Sequence, residues 1–193
     1  MSASTSHLNY IVAAFLAAGA VTPGLSGAAV AQTAGAESSG QLLQDLHDAD
    51  PTDAKRIARE LGLEWSRTGS PSMDLLLQRG RDALETQDLD EAIGHFSALT
   101  DHAPEFAEGW HGRAQAYYAE GELGLAVDSL EHTLALNPDH FEAIFGLAVI
   151  AEQTGAVEEA YGLYERVLEL YPTHEPAEEG IQRLDIPVNG TEI

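Results

Sequence analysis

Apolar residues recur along this chain on two scales. Within short windows they fall at i, i+3, i+4 and i+7, the spacing of one helix face, as in Ala54, Ile57, Ala58, Leu61 and Trp65. Over longer distances the windows copy one another. Leu76, Trp110 and Ile144 stand 34 residues apart, as do Ala92, Ala126 and Ala160, and Pro104, Pro138 and Pro172. One unit of two short amphipathic helices is therefore written three times, over 73–106, 107–140 and 141–174. A single pair cannot bury its apolar face, so the units must stack, and a stack of helix pairs is a docking surface for another polypeptide.

The residues between the apolar positions support the same division. Gly80, Ala114 and Ala148 are small where the first helix of each unit must approach the second, and Ala92, Ala126 and Ala160 answer them. Gly121 and Gly155 fall at the turn inside the pair, where positive φ is cheap for glycine, while Gln87 stands at that place in the first unit and predicts a weaker turn. Each proline breaks the second helix before the next unit begins.

The flanks differ. Two helical stretches over 41–70 meet at Asp50-Pro51, a helix-start signature, and are expected to cap the first end of the stack. A helix opened by Pro176, within 175–185, is expected to cap the other end, followed by a fraying tail over 186–193. The small polar run 32–40 (QTAGAESSG) predicts a flexible linker. Before it, Ile11–Val21 is apolar but shorter than the ~20 residues a membrane span needs. Helix breakers and the A-x-A triplet Ala29-Val30-Ala31 follow. This is the layout of a signal peptide over 1–31 cleaved before Gln32, which predicts a periplasmic or secreted protein with no stable membrane insertion after cleavage, although the n-region lacks Lys and Arg.

Composition narrows the partners. The net charge is −23 over 193 residues, and from Ser72 onward there are 25 acidic and five basic residues. Nucleic acid is excluded as a partner, because phosphate binding needs clustered Lys and Arg. The acidity suits a solvated surface or the attraction of a basic partner. With no cysteine, disulfides and thiolate chemistry are absent. His174-Glu175 opens like a zinc-protease motif, but Glu178 replaces the second His and Pro176 interrupts the helix. Asp48, Asp50 and Asp53 suggest a calcium loop, yet Asp53 and Arg59 occupy its Gly and bidentate Glu positions. His140 and His174 share one repeat position a full unit apart, too far for a common metal. No catalytic residue, metal site or cofactor is predicted.

The units resemble tetratricopeptide repeats, whose pattern is W-x2-L-G-x2-Y, then A-x3-F, then P. The second unit carries Trp110, Arg113, Ala114, Tyr117, Ala126, Leu130 and Pro138. The first has Leu76, Arg79, Gly80, Ala83, Ala92, Phe96 and Pro104, and the third Ile144, Leu147, Ala148, Ala151, Ala160, Tyr164 and Pro172. The resemblance implies an all-α, right-handed α-solenoid acting as a non-catalytic scaffold or adaptor for a protein or peptide. Alternatives are a structural subunit of an envelope assembly and an accessory module to an enzyme. It further implies that the first helix of each pair lines a concave groove. The positions so mapped are Leu77, Arg81 and Leu84; His111, Gln115 and Tyr118; Phe145, Val149 and Glu152. The Lys and Asn with which one subclass grips chaperone tails are missing there. Asp74, Glu108 and Glu142 at the second position of each unit either favour the helix dipole or form an acidic rim for an apolar and basic segment.

Overall fold

The computed structural model describes residues 38–190. All regular structure among them is helical. Helix α1 covers 38–48, α2 Pro51–Trp65, α3 Pro71–Glu85, α4 Leu89–His102, α5 Ala107–Glu120, α6 Leu123–Leu136, α7 Phe141–Thr154, α8 Val157–Leu170 and α9 Glu175–Asn189. The signal peptide and most of the linker expected from the sequence lie outside the described residues. Residues 38–40, assigned to that linker, are instead the first turn of α1, and α9 continues through Asn189, past the end expected near Asp185. Among the described residues no helix is long and apolar enough to cross a membrane.

Helices α3/α4, α5/α6 and α7/α8 form three antiparallel pairs, an α-solenoid. The turn inside each pair has one construction. Gly121 and Gly155 take φ of 88° and 82°, and the amides of Glu122 and Ala156 reach back to the carbonyls of Tyr117 and Ala151, each at 2.9 Å. In the first pair Gln87 adopts the same left-handed conformation, φ 60°, and the Asp88 amide bonds the Ala83 carbonyl at 2.9 Å. That turn forms against the steric preference of an L-residue.

Between pairs, the second helix of one drives a large side chain into a glycine on the next. A Cβ on Gly80 would lie 2.7 Å from the Phe96 ring, and one on Gly112 would collide with the same ring, so Phe96 is clasped between α3 and α5. Tyr164 meets Gly180 of α9 in the same way, at 2.5 Å. Both rings are fully buried, each contributing about 2–3 kcal/mol of apolar transfer energy. Ala177, Ile181 and Leu184 of α9 also pack on the α7/α8 core.

The α1/α2 hairpin does not sit where the sequence places it. Its core of Leu46, Ala54, Ile57 and Leu61 joins Phe141, the first residue of α7, and Tyr171, just after α8. Trp65 stacks on His140 at 4.7 Å, and Lys55 Nζ donates to Glu175 Oε1 at 3.1 Å. The hairpin is thus a strap along the edge where α7 and α9 begin, not a cap on α3. The two aromatic rings at that edge offer its apolar stripe a larger hydrophobic seat. The outward side of α3 stays open, with Leu75 46% exposed.

Candidate functional site

The first helices α3, α5 and α7 line one side of the solenoid, and α2 approaches that side beside them. Two histidines set the local frame. His140 Nδ1 accepts the Ala143 amide and His174 Nδ1 accepts the Ala177 amide, each at 3.2 Å, so these residues, one repeat apart, are N-caps of α7 and α9. His140 is wholly buried. Because its Nδ1 lone pair is taken, the hydrogen-bond pattern puts its proton on Nε2, which donates to Glu108 Oε1 at 2.9 Å. Arg81 Nη2 donates to Glu108 Oε2 at 3.0 Å and to Ser66 Oγ at 2.9 Å, and His111 Nδ1 lies 4.0 Å from Glu108.

Glu108 therefore does not belong to an acidic rim. It is 5% exposed and serves as the acceptor at the centre of a network joining α2, α3, α5 and α7. Burial alone would raise its pKa, but the neighbouring His111 imidazole and the hydrogen-bonded His140 outweigh that and hold the carboxyl well below the usual range. Burial likewise keeps the His140 imidazole below its ordinary value. Glu108, His111 and His140 place their ligand-type atoms within 4.8 Å of one another, close enough to consider a metal. Their bonding answers the question: His140 presents an N–H rather than a lone pair, and a guanidinium already occupies the carboxylate. The cluster is a polar network that fixes the helices.

Of the other predicted groove residues, Leu77 is buried in the α3/α4 core with Phe96 and so offers no free face, while Leu84 packs partly buried against that core, apart from the cleft between α5 and α7. Asp74 accepts the Thr68 hydroxyl at 2.5 Å and closes the turn before α3. Glu152 takes both Arg183 Nε and Nη2 at 3.0 Å, plus the Tyr164 hydroxyl at 2.6 Å, and the guanidinium holds its pKa down. It fastens α9 to α7. The remaining six come together: His111, Gln115, Tyr118, Glu142, Phe145 and Val149 line one cleft of about 510 Å3 between α5 and α7. Tyr118 is 38% exposed and its hydroxyl accepts from Gln153 at 2.5 Å; Phe145 leans on Tyr164 and His174.

Sequence reasoning missed the floor and the far wall. Leu130 and Gly146 lie at the bottom of the cleft. His111, Gln115 and Glu142 also border a second hollow whose other side is Arg59, Gly62 and Leu63 of α2, so the two hollows form one trough walled by the strap. The floor had a signal in the repeat itself, Leu130 standing where its equivalents are aromatic. The strap had none, since its docking site lies some eighty residues downstream.

The tetratricopeptide-repeat model matches residues 77–131 and 113–175, together about half the chain. A TPR repeat-containing protein of Rhizobium etli is 32% identical over 145 residues, covering 75% of this chain and 71% of that one. The chain belongs to the tetratricopeptide-repeat family. Among solved structures, the first TPR domain of Spaghetti (RPAP3) bound to an HSP90 peptide superposes with a TM-score of 0.58 at 25% identity, over 60% of this chain and 92% of that one. The Yersinia enterocolitica type III secretion chaperone SycD, in complex with a peptide of the translocator YopD, gives 0.59 at 16% identity, over 61% and 95%. The strap helices α1 and α2 lie outside the stretch that matches the tetratricopeptide model, so the Arg59 and Leu63 wall is not a feature of the repeats.

Proposed function

We propose that this protein is an exported, non-catalytic interaction module that holds an extended or helical segment of a partner protein in the trough between α2 and the α5/α7 face. The cleft carries the reading: aromatic and aliphatic side chains converge there on an unfilled space, beside Glu142, an exposed carboxylate with no ion pair within 4.0 Å among the described residues. A buried apolar centre with an unneutralised charge at its edge suits a segment carrying both apolar and basic residues, and the −23 net charge would steer such a partner in. The Spaghetti domain holds a peptide, which supports the same use of the fold. As an adaptor in the periplasm or outside the cell, the protein needs only to present this trough.

The test takes a partner captured on the full chain from the envelope fraction. Tyr118→Ala is expected to weaken binding by about 1–2 kcal/mol while leaving the circular dichroism spectrum and Tm nearly unchanged. Undiminished binding places the contact elsewhere. Export is tested separately by intact mass from the native host, where a chain beginning at Gln32 is expected and a full-length main species would refute cleavage.

A further inference from the structure

The cleft exists because one repeat lacks a ring. Phe96, Leu130 and Tyr164 occupy the same position of successive second helices, and Gly112, Gly146 and Gly180 face them from the following first helices. In the outer two junctions the aromatic ring presses on the glycine and covers it, so Gly112 and Gly180 are buried. At the middle junction Leu130 is too short to do so. A Cβ on Gly146 would stand 3.2 Å from Leu130, and Gly146 is only partly buried. The space a ring would fill opens between Tyr118 and Phe145 as the floor of the trough.

Taking the trough as the binding site proposed above, the geometry points to a slot over Gly146 and Leu130 that receives one aromatic side chain of the partner, with a Lys or Arg of the same segment beside Glu142. The incoming ring completes the pattern that Phe96 and Tyr164 complete from within. Its aryl face meets Leu130 and the bare Gly146 backbone, and its edge meets Phe145 and Tyr118, an arrangement in which aromatic rings pack favourably. The basic residue follows from charge: Glu142 borders both hollows, and a cation placed there gains from its carboxylate and from the acidic molecule as a whole.

The probe is a blocked nonapeptide, acetyl-Gly-Ser-Lys-Ala-Phe-Ala-Lys-Ser-Gly-amide, against the same peptide with Ala in place of Phe, titrated into the full-length protein by NMR. The Phe peptide is expected to bind about tenfold or more tightly than the Ala peptide. Leu130→Phe supplies the missing ring from inside. It should fold with an equal or higher Tm, as its equivalents do with aromatic residues, and reduce the preference to about twofold or less. Gly146→Ala, which adds one methyl to the slot floor, should lower the preference without unfolding the chain, and serves if Leu130→Phe does not fold. A Phe preference unchanged by both substitutions overturns the slot; if Tyr118→Ala still weakens both peptides, the trough stands as the binding site without it. Equal affinity of the wild-type protein for the two peptides overturns the slot as well.

Discussion

Glu108→Ala tests the network that ties the strap to the solenoid. The His140 Nδ1 atom is committed to the Ala143 amide, so its Nε2–H has Glu108 as acceptor, in a position with no solvent. Removing the carboxylate strands that donor, at a cost of about 1–3 kcal/mol. Arg81 is 44% exposed and can be rehydrated, so its lost pairing adds only about 0–1 kcal/mol. The sum, about 1–4 kcal/mol, corresponds to a fall in Tm of about 2–16 °C for a chain of this size. Glu108→Gln keeps an acceptor and should cost about half as much. The assay is urea unfolding followed by far-UV circular dichroism at about pH 7.5, with near-UV circular dichroism reporting the Trp65 ring stacked on His140. In the double variant with His140→Ala the stranded donor is gone, so the combined loss should be smaller than the sum of the two single losses. Additive losses, or a Glu108→Ala cost below about 0.5 kcal/mol, would refute the assignment of Glu108 as the obligatory partner of His140.

The pH dependence of stability follows from the same burial. His140 and His174 are both held below the ordinary imidazole value, so as pH falls the unfolded chain takes up protons first; the unfolding free energy should be flat above about pH 7 and decline below, by up to ~1.4 kcal/mol per pH unit for each His, with Tm following it. The Glu108 contribution is full above about pH 5 and is lost progressively as the pH falls from there toward its far lower folded pKa; a thermal scan flat from about pH 8 to 5 would contradict both histidine assignments. Gln87→Gly should raise stability by about 0.5–1 kcal/mol by relieving a left-handed L-residue, read as a higher urea midpoint; a loss would mean that the Gln side chain contributes to the turn. Gly112→Ala drives a methyl into the Phe96 ring and should cost about 1–3 kcal/mol, whereas Gly146→Ala, against the shorter Leu130, should be near neutral; equal costs would deny the difference between the two junctions.

The solenoid was legible because its rules are local and repeated. Gly121, Gly155 and the 34-residue spacing report the backbone directly, and stacking follows from what one pair cannot bury. The strap was legible as two helices but not in its place. The apolar stripe of α2 states that it must be covered, and nothing in it states that Phe141 and Tyr171 will do the covering. The groove was half legible. Family mapping picks out six residues that line one cleft, yet it treats Glu108, Leu77 and Glu152 alike with Tyr118 and Phe145, since it cannot see that Arg81, Phe96 and Arg183 have already claimed them. Such pairings join residues up to thirty-odd positions apart through space, and one-dimensional periodicity carries no information about which side chain reaches which.

The trough therefore has two origins, and they bear differently on specificity. Its floor comes from the repeats, where a single shortened side chain, Leu130, leaves room that the neighbouring junctions fill. Its far wall comes from α2, held by Trp65 on His140 and by Ser66 with Glu108 through Arg81. The polar network thus positions one wall of the trough relative to the other, and Ser66, Arg81, Glu108 and His111 of that network also border the hollow beside the strap. A substitution in the floor should change which side chain is accepted, while one in the network should loosen the wall and lower affinity for every ligand alike.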